Sequence, residues 1–421
     1  MSDTEQELLS RIHSEITDSL GYGGEISDQR EEAIKYYYAL PFGNEVEGRS
    51  QYVDSTVQDT VEWIKPSLMR VFASGDEMVK FTPHGPEDVK AAEQATDYVN
   101  YVFTKDNPGW EILYSWFHDA LLQKNGIVKV WWDEYQEDQR EEYRNLGELE
   151  FEYLISDENV EVIEHTEVAG NEMEGVETYH DVVIKRSSYN GKIKVENVPP
   201  DEFLISREAK GIQDARFVCH RVRKTLSDLR VMYPDEDFGS EDLGGGFSEE
   251  LYNSERLARY DFDDSSNIAA GWGGNEEEAL RDYWLHESFI RTDYDDDGIA
   301  ELRKVCSVGN YVFSNEEIDK VPFVSITPLK IPHKFFGLSV ADLVMDLQLI
   351  KSTLMRNLMD NAYNQNFGRY AVLEGQANLD DLLTQRPGGV VRVKSPNAVM
   401  PLATPPLQPE SFQMLGYLDE V

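Results

Sequence analysis

One stretch limits what this chain can become: IPHKFFGLSVADLVMDLQLIKSTLMRNLMDNAYNQNFG, residues 331–368. A proline-containing lead runs into Gly337. Ser339 then stands where it can cap a helix, with Asp342 three residues on in the place of a capping-box acid. Leu343, Leu347, Ile350, Leu354 and Leu358 recur at spacings of three and four, which predicts one apolar stripe along a helix that Gly368 stops. At about 1.5 Å per residue, a helix from Ser339 to Asn366 spans roughly 40 Å. The stripe is narrow, because the other faces carry Asp342, Asp346, Lys351, Arg356, Asn357, Asp360 and Asn364. A helix this long with so thin a seam calls for like neighbours on each side. The plainer alternative is one long helix inside an ordinary globular core.

A chain of 421 residues can bury a sizeable core and hold two or three domains. Its formal net charge is -41, from 80 acidic and 39 basic residues. Charge of that size opposes tight non-specific binding to nucleic acid or anionic membrane. It does not forbid a protein that surrounds DNA without gripping it. Tyr, Phe and Trp are plentiful, so the chain as a whole is not disordered. Cys219 and Cys306 are the only cysteines, too few for a disulfide framework or a cysteine-based zinc site. The acidic, amphipathic start lacks the basic and apolar segments of a secretory signal. No apolar run approaches the roughly 20 residues that cross a bilayer. The expectation is a soluble protein with no membrane partner.

Along the chain, residues 1–126 read as helix. Leu8, Leu9, Ile12, Ile16 and Leu20 form an opening helix that Gly21 is expected to end, and a second runs from near Ser27 to the break at Pro41. Val53, Val57, Val61, Ile64, Leu68 and Val71 mark a third helix, which Pro66 should kink or interrupt. Pro86 opens a fourth and Trp110–Lys124 makes a fifth. At Gly126 the period changes to that of strands. Residues 133–175, dense in Glu and Asp, read as a solvated face or loop. Short strands surround Pro199 and Pro200, a short helix ends at Pro234, and residues 235–278 form a long acidic, glycine-rich loop. Strands DYWLHESFIRT, IAELRKVCSVG and VPFVSITPL follow. Beyond the long helix, RYAVLEG and GGVVRVKS read as strands, a proline-rich segment is extended, and a helix starts at Pro409. The chain stops within that helical pattern, so a longer product is expected.

Asp293, Asp295 and Asp297 with Gly298 match the front half of a calcium loop: hard oxygen donors on alternate residues and a glycine for the turn. Position twelve is Lys304 where an EF-hand needs Glu, and the flanks read as strands. Glu301 could close a shorter loop. Two readings stand, a site for Ca2+ or another hard cation, and an acidic hairpin turn without metal. The eight histidines are scattered without HxxxH or HExxH spacing, which favours structural roles. No nucleophile elbow, P-loop or dinucleotide fingerprint is present. Acid pairs carry no weight as a hydrolase site in a chain this acidic. Arg369, Arg386, Arg392 and Lys394 cluster after the long helix, facing either an acidic partner or DNA backbone, or simply solvent.

Several segments, taken in order, resemble the portal proteins of short-tailed double-stranded DNA bacteriophages. They are EGRSQYVD (47–54) running to Val57 and EWIKP (62–66), VPPDEF (198–203), RVRKT (221–225), the hairpin Asp293–Val305 with GIAEL (298–302), and Pro322–Phe323–Val324 through GLSVAD (337–342) with its helix. The resemblance implies an α+β portal fold, with an α+β wing, a long stem helix and a small α/β clip, assembled as a homo-oligomeric ring, usually of twelve subunits, at one capsid vertex. It maps residues 1–126 to the helical wing, 127–335 to the β-rich wing, 336–368 to the stem helix, 369–408 to the clip and 409–421 to the start of a second stem helix, with the crown or barrel absent. Implied partners are the major capsid or scaffolding protein, the terminase motor, the tail adaptor and the double-stranded DNA passing through. The implied function is genome packaging and ejection in the virion, after assembly in the host cytoplasm, with no catalysis and no required cofactor. The alternative is a calcium-stabilised acidic binding or adhesion module.

Overall fold

The computed structural model describes residues 3–75, 77–157, 159–168, 179–234, 236, 238–240, 243, 278–295, 297–366, 368–384, 389–402 and 409–420. Most of the expected acidic loop at 235–278 lies outside the described residues, as does Arg386. The fold mixes helix and sheet throughout.

The chain opens with one helix, α1 (Asp3–Tyr37), where two were expected. Glycine in a helix interior costs about 1 kcal/mol against alanine, yet Gly21, Gly23 and Gly24 do not break it. Tertiary contacts on both sides outweigh that cost. Leu8, Ile12 and Ile16 bury into a sheet face, Tyr22 meets the Phe336 ring at 5.5 Å, and buried Arg30 donates to the Gln123 and Pro200 carbonyls. Helix α2 (Thr56–Ala73) runs through Pro66 without interruption, because Val57 and Val61 before the proline and Met69 after it are all buried. A short turn at Pro86–Asp88 leads into α3 (Val89–Tyr101), and α4 (Gly109–Gln123) follows.

The strands form antiparallel sheets. In the first, β2 (Val160–Val168), β3 (Tyr179–Val198), β1 (Gly126–Leu146) and β9 (Phe323–Ile326) lie in that order. β1 and β3 pair from Ile127↔Val198 to Leu146↔His180, a ribbon about 60 Å long at roughly 3.4 Å per residue. Of the two expectations for 133–175, a solvated face or a loop, much of the stretch takes the first: β1 continues to Leu146, and α5 (Glu148–Ile155) and β2 follow, largely exposed. The acids are matched across strands, Asp133 with Lys194 at 2.9 Å, Asp138 with Lys185 at 3.0 Å and Glu141 with Arg186 at 3.3 Å.

The second sheet has the order β4 (Phe203–Ile205), β5 (Phe217–Thr225), β6 (Asp282–Thr292), β7 (Glu301–Val308) and β8 (Tyr311–Glu317). β8 was not expected. It returns from β7 through Gly309, whose φ of 54° suits the tight turn. Helix α1 covers one face through Phe217, Cys219, Ile290 and Val305. On the other, Val218, Phe289 and Leu302 join Ile127, Val198, Phe323, Phe335 and Phe336 in the largest core. That core fuses the two sheets and ends immediately before the long helix. Helix α6 (Leu226–Met232) closes a third cluster with Tyr283, Leu285 and Phe313.

Helix α7 (Val340–Asn366) is the long helix, beginning and ending as its sequence predicts. Its capping box is formed: the Asp342 amide donates to Ser339 Oγ at 3.0 Å, and the Asp342 carboxylate accepts from the Ser339 amide at 2.7 Å. Lys124, buried at the end of α4, donates to the same carboxylate at 2.6 Å. Gly337 is required just upstream, since a Cβ there would stand 2.2 Å from the Leu329 carbonyl oxygen. After α7, β10 (Tyr370–Val372) pairs with β11 (Val399–Pro401), flanking α8 (Leu379–Leu383). The segment GGVVRVKS is not the expected strand. Among its described residues only Val393 bridges, to Ala377, while the backbones of Arg392 and Lys394 are tied to Asn378 and Gln376. Helix α9 (Pro409–Glu420) returns to contact α7.

Candidate assembly site on the long helix

Helix α7 presents two contrasting faces. The face turned into the subunit carries Ala341, Gln348, Ser352 and Arg356, all buried. Val340, Val344 and Met345 extend it at the N-terminal end and pack with α1, α2 and α4. Further along, the partners are the irregular segment 44–55 and the first turn of α2, which have backbone groups to satisfy. Gln348 Oε1 accepts from the Val57 amide at 2.8 Å and its Nε2 donates to the Tyr36 carbonyl at 2.9 Å. Ser352 Oγ accepts from the Asp54 amide at 3.0 Å, and Asp360 accepts from the Ser50 amide at 2.7 Å. Arg356 donates to the Tyr52 carbonyl, Asn44 and Glu45.

The apolar stripe lies elsewhere. Leu343 is 56 % exposed and Ile350 42 %. Leu347, Leu354 and Leu358 are partly buried. Sequence spacing located the stripe but missed the inward face, where polar residues at 348, 352 and 356 repeat at helical spacing. That polar repeat was the available clue.

The basic residues after α7 divide. Arg369 is exposed. Arg392 is exposed but held by Asp381 through two bonds of 2.6 and 3.0 Å, and Lys394 donates to the Gly375 carbonyl at 3.1 Å. Of the candidate cation ligands, Asp293, Asp295 and Asp297 converge. Their carboxylates also accept backbone amides of the turn, Asp293 from Asp297 and Gly298, and Asp297 from Ile299. Glu301 faces Thr292 across the β6–β7 ladder and accepts from Arg303 at 3.2 Å.

A buried charge cluster, invisible as a motif, joins the two sheets. Lys129 of β1 contacts the Glu287 carboxylate of β6, with His220 at 3.7 Å and Lys304 at 3.6 Å from it. Burial alone would raise the Glu287 carboxyl, but bonding from His220 and the charges of Lys129 and Lys304 bring it down to about 2. Next to it, burial with Arg221 nearby lowers His286 to about 4. For both groups the folded value lies below the unfolded one. Each therefore stabilises the fold above its ordinary value and loses that contribution as pH falls. His286 loses it between 6.5 and about 4, and Glu287 between 4.5 and about 2. His220, burial notwithstanding, is raised by Glu202 and Glu287. It works in the opposite direction, its contribution fading as pH rises through its folded value. In a urea titration followed by circular dichroism, the Glu287 part is on the order of 3 kcal/mol. Glu287→Gln is expected to weaken the fold at neutral pH and flatten the loss below pH 4.5; an unchanged acid slope contradicts the assignment.

Among the described residues no helix is long and apolar enough to cross a membrane. No curated protein matches the chain. The family model described as phage SU10 portal protein matches residues 8–421, nearly the whole length, including α7 and both segments that flank it. The chain belongs to this family of phage portal proteins.

Proposed function

We propose that this chain is the repeating subunit of a portal ring at one capsid vertex, a conduit for double-stranded DNA during packaging and ejection. In this reading residues 1–335 are the wing, 336–368 the stem helix, 369–408 the clip, and 409–421 belong to a second stem helix. The observation that carries it is the state of α7. The helix is anchored to its own subunit by a polar face, which leaves Leu343 and Ile350 exposed on a continuous apolar stripe. A second copy placed beside it removes that stripe from water. The net charge of -41 suits a channel that must not hold phosphate tightly. The ring has no catalytic activity of its own, and the packaging motor's ATPase is a separate chain.

Labelling tests the seam. Cys219 and Cys306 are both buried, so maleimide reads a thiol introduced by Ile350→Cys. Labelling should be fast in dissociated subunits and strongly slowed after assembly; equal rates in both states reject the seam. In the clip, Arg369 is the exposed cation to reverse. Arg369→Glu should weaken capture of the packaging motor or tail adaptor about tenfold, with rings still forming. Unchanged binding to both removes Arg369 from the docking surface.

A further inference from the structure

The outer part of the β1–β3 ribbon carries a second constellation, unrelated to α7. Glu167 lies opposite His180 in the β2–β3 ladder, and His165 lies opposite Val182. Side chains alternate along a strand, so His165, Glu167 and His180 share one face of the sheet. His165 Nε2 and His180 Nδ1 stand 2.9 Å apart. With the Glu167 carboxylate, the donor atoms of the three residues all lie within 4.8 Å of one another.

The surroundings hold these donors in place. Phe151 of α5 stacks on both imidazoles, at 4.6 Å from His165 and 4.5 Å from His180, nearly parallel to each. His180 is only 4 % exposed. Its other nitrogen, Nε2, is buried without a hydrogen-bond partner and points to the Glu148 carboxylate 3.6 Å away.

We propose that His165, His180 and Glu167 form a binding site for a divalent cation of the zinc class. Two imidazole nitrogens and a carboxylate suit a borderline ion, not an oxygen-seeking one such as calcium. Tetrahedral coordination with bonds of about 2.0–2.1 Å needs the two nitrogens roughly 3.3 Å apart. The rings reach that by separating a few tenths of an ångström along the face of Phe151. Water takes the fourth position. Glu148 then accepts the proton on His180 Nε2, the carboxylate that fixes the tautomer of a metal-bound histidine. The ion joins β2 to β3 and pins α5 over them, where Asp157–Arg186 at 2.9 Å is a neighbouring cross-link. The acidic turn at 293–297 differs in kind, because the carboxylates of its described residues already serve backbone amides and, among those residues, no buried donor is left unmatched.

The test uses the whole chain, stripped with chelator and titrated with zinc against a chromophoric competitor at neutral pH. One zinc per chain is expected, with a rise in melting temperature. His165→Ala alters an exposed side chain, so folding survives; it should weaken binding at least tenfold and remove the rise in melting temperature. Glu148→Gln should weaken binding about 10- to 100-fold as an outer partner, with stoichiometry unchanged. Millimolar calcium should not displace the zinc. No binding by the wild-type chain, or undiminished affinity in His165→Ala, or displacement by calcium, overturns the site.

Discussion

Aspartate at both Leu347 and Leu354 is expected to abolish ring assembly and leave a folded subunit. The subunit holds α7 by its other face, through Ala341, Gln348, Ser352 and Arg356. Leu347 and Leu354 each lie one turn from exposed Ile350, on either side of it, and are only partly buried. In an assembled seam they would face apolar neighbours. Removing an unpaired carboxylate from water costs several kcal/mol per ion, and a ring repeats that cost at every interface. Sedimentation should show the double variant as subunits, with a far-ultraviolet spectrum close to that of the parent. Rings of normal size from this variant contradict the seam.

The second large effect concerns the subunit itself. Arg356 is buried beneath the segment at 44–57, with its guanidinium 2.6 Å from the Tyr52 carbonyl, 2.8 Å from Asn44 Oδ1 and 2.6 Å from Glu45 Oε1. The Phe42 ring lies 5.5 Å away. Burial would raise the Glu45 carboxyl, but backbone amides and Arg356 together hold it below the usual range. Arg356→Met keeps the aliphatic bulk and removes all three bonds, leaving Glu45 without its cation. Breaking a buried pair from one side costs about 3 kcal/mol or more. Urea unfolding should show a loss of that size. Arg356→Lys should recover little of it, because one ammonium cannot reach three acceptors spread across a planar fork. A change within about 0.5 kcal/mol, typical of surface sites, would exclude this clasp.

Periodicity made α7 legible. Its cap, extent and apolar stripe follow from Ser339, Asp342 and the leucine spacing, all local features. The inward face did not, because its partners, many of them backbone groups, lie about three hundred residues away, as in the Gln348–Val57 bond across 291 positions. Nothing local marks such a pairing. The same reason explains α1, where Tyr22 and Arg30 find distant partners that outweigh the glycines. The acidic ribbon forms the solvated face that its charge density suggests, but its strands are not legible, because charge density is visible in a sequence and register is not. Once β1 and β3 align, Asp133, Asp138 and Glu141 each meet a cation. Arg392 shows the converse. It reads as a cation for a partner or for solvent, and Asp381, eleven residues away, pairs with it while it stays exposed.

In the proposed reading, copies of this chain close into a ring around a hole. Negative-stain electron microscopy of the purified chain tests it directly. Closed rings of uniform subunit number with a central channel are expected. Monomers, or open chains of irregular length, across the concentrations at which the protein is folded would contradict it.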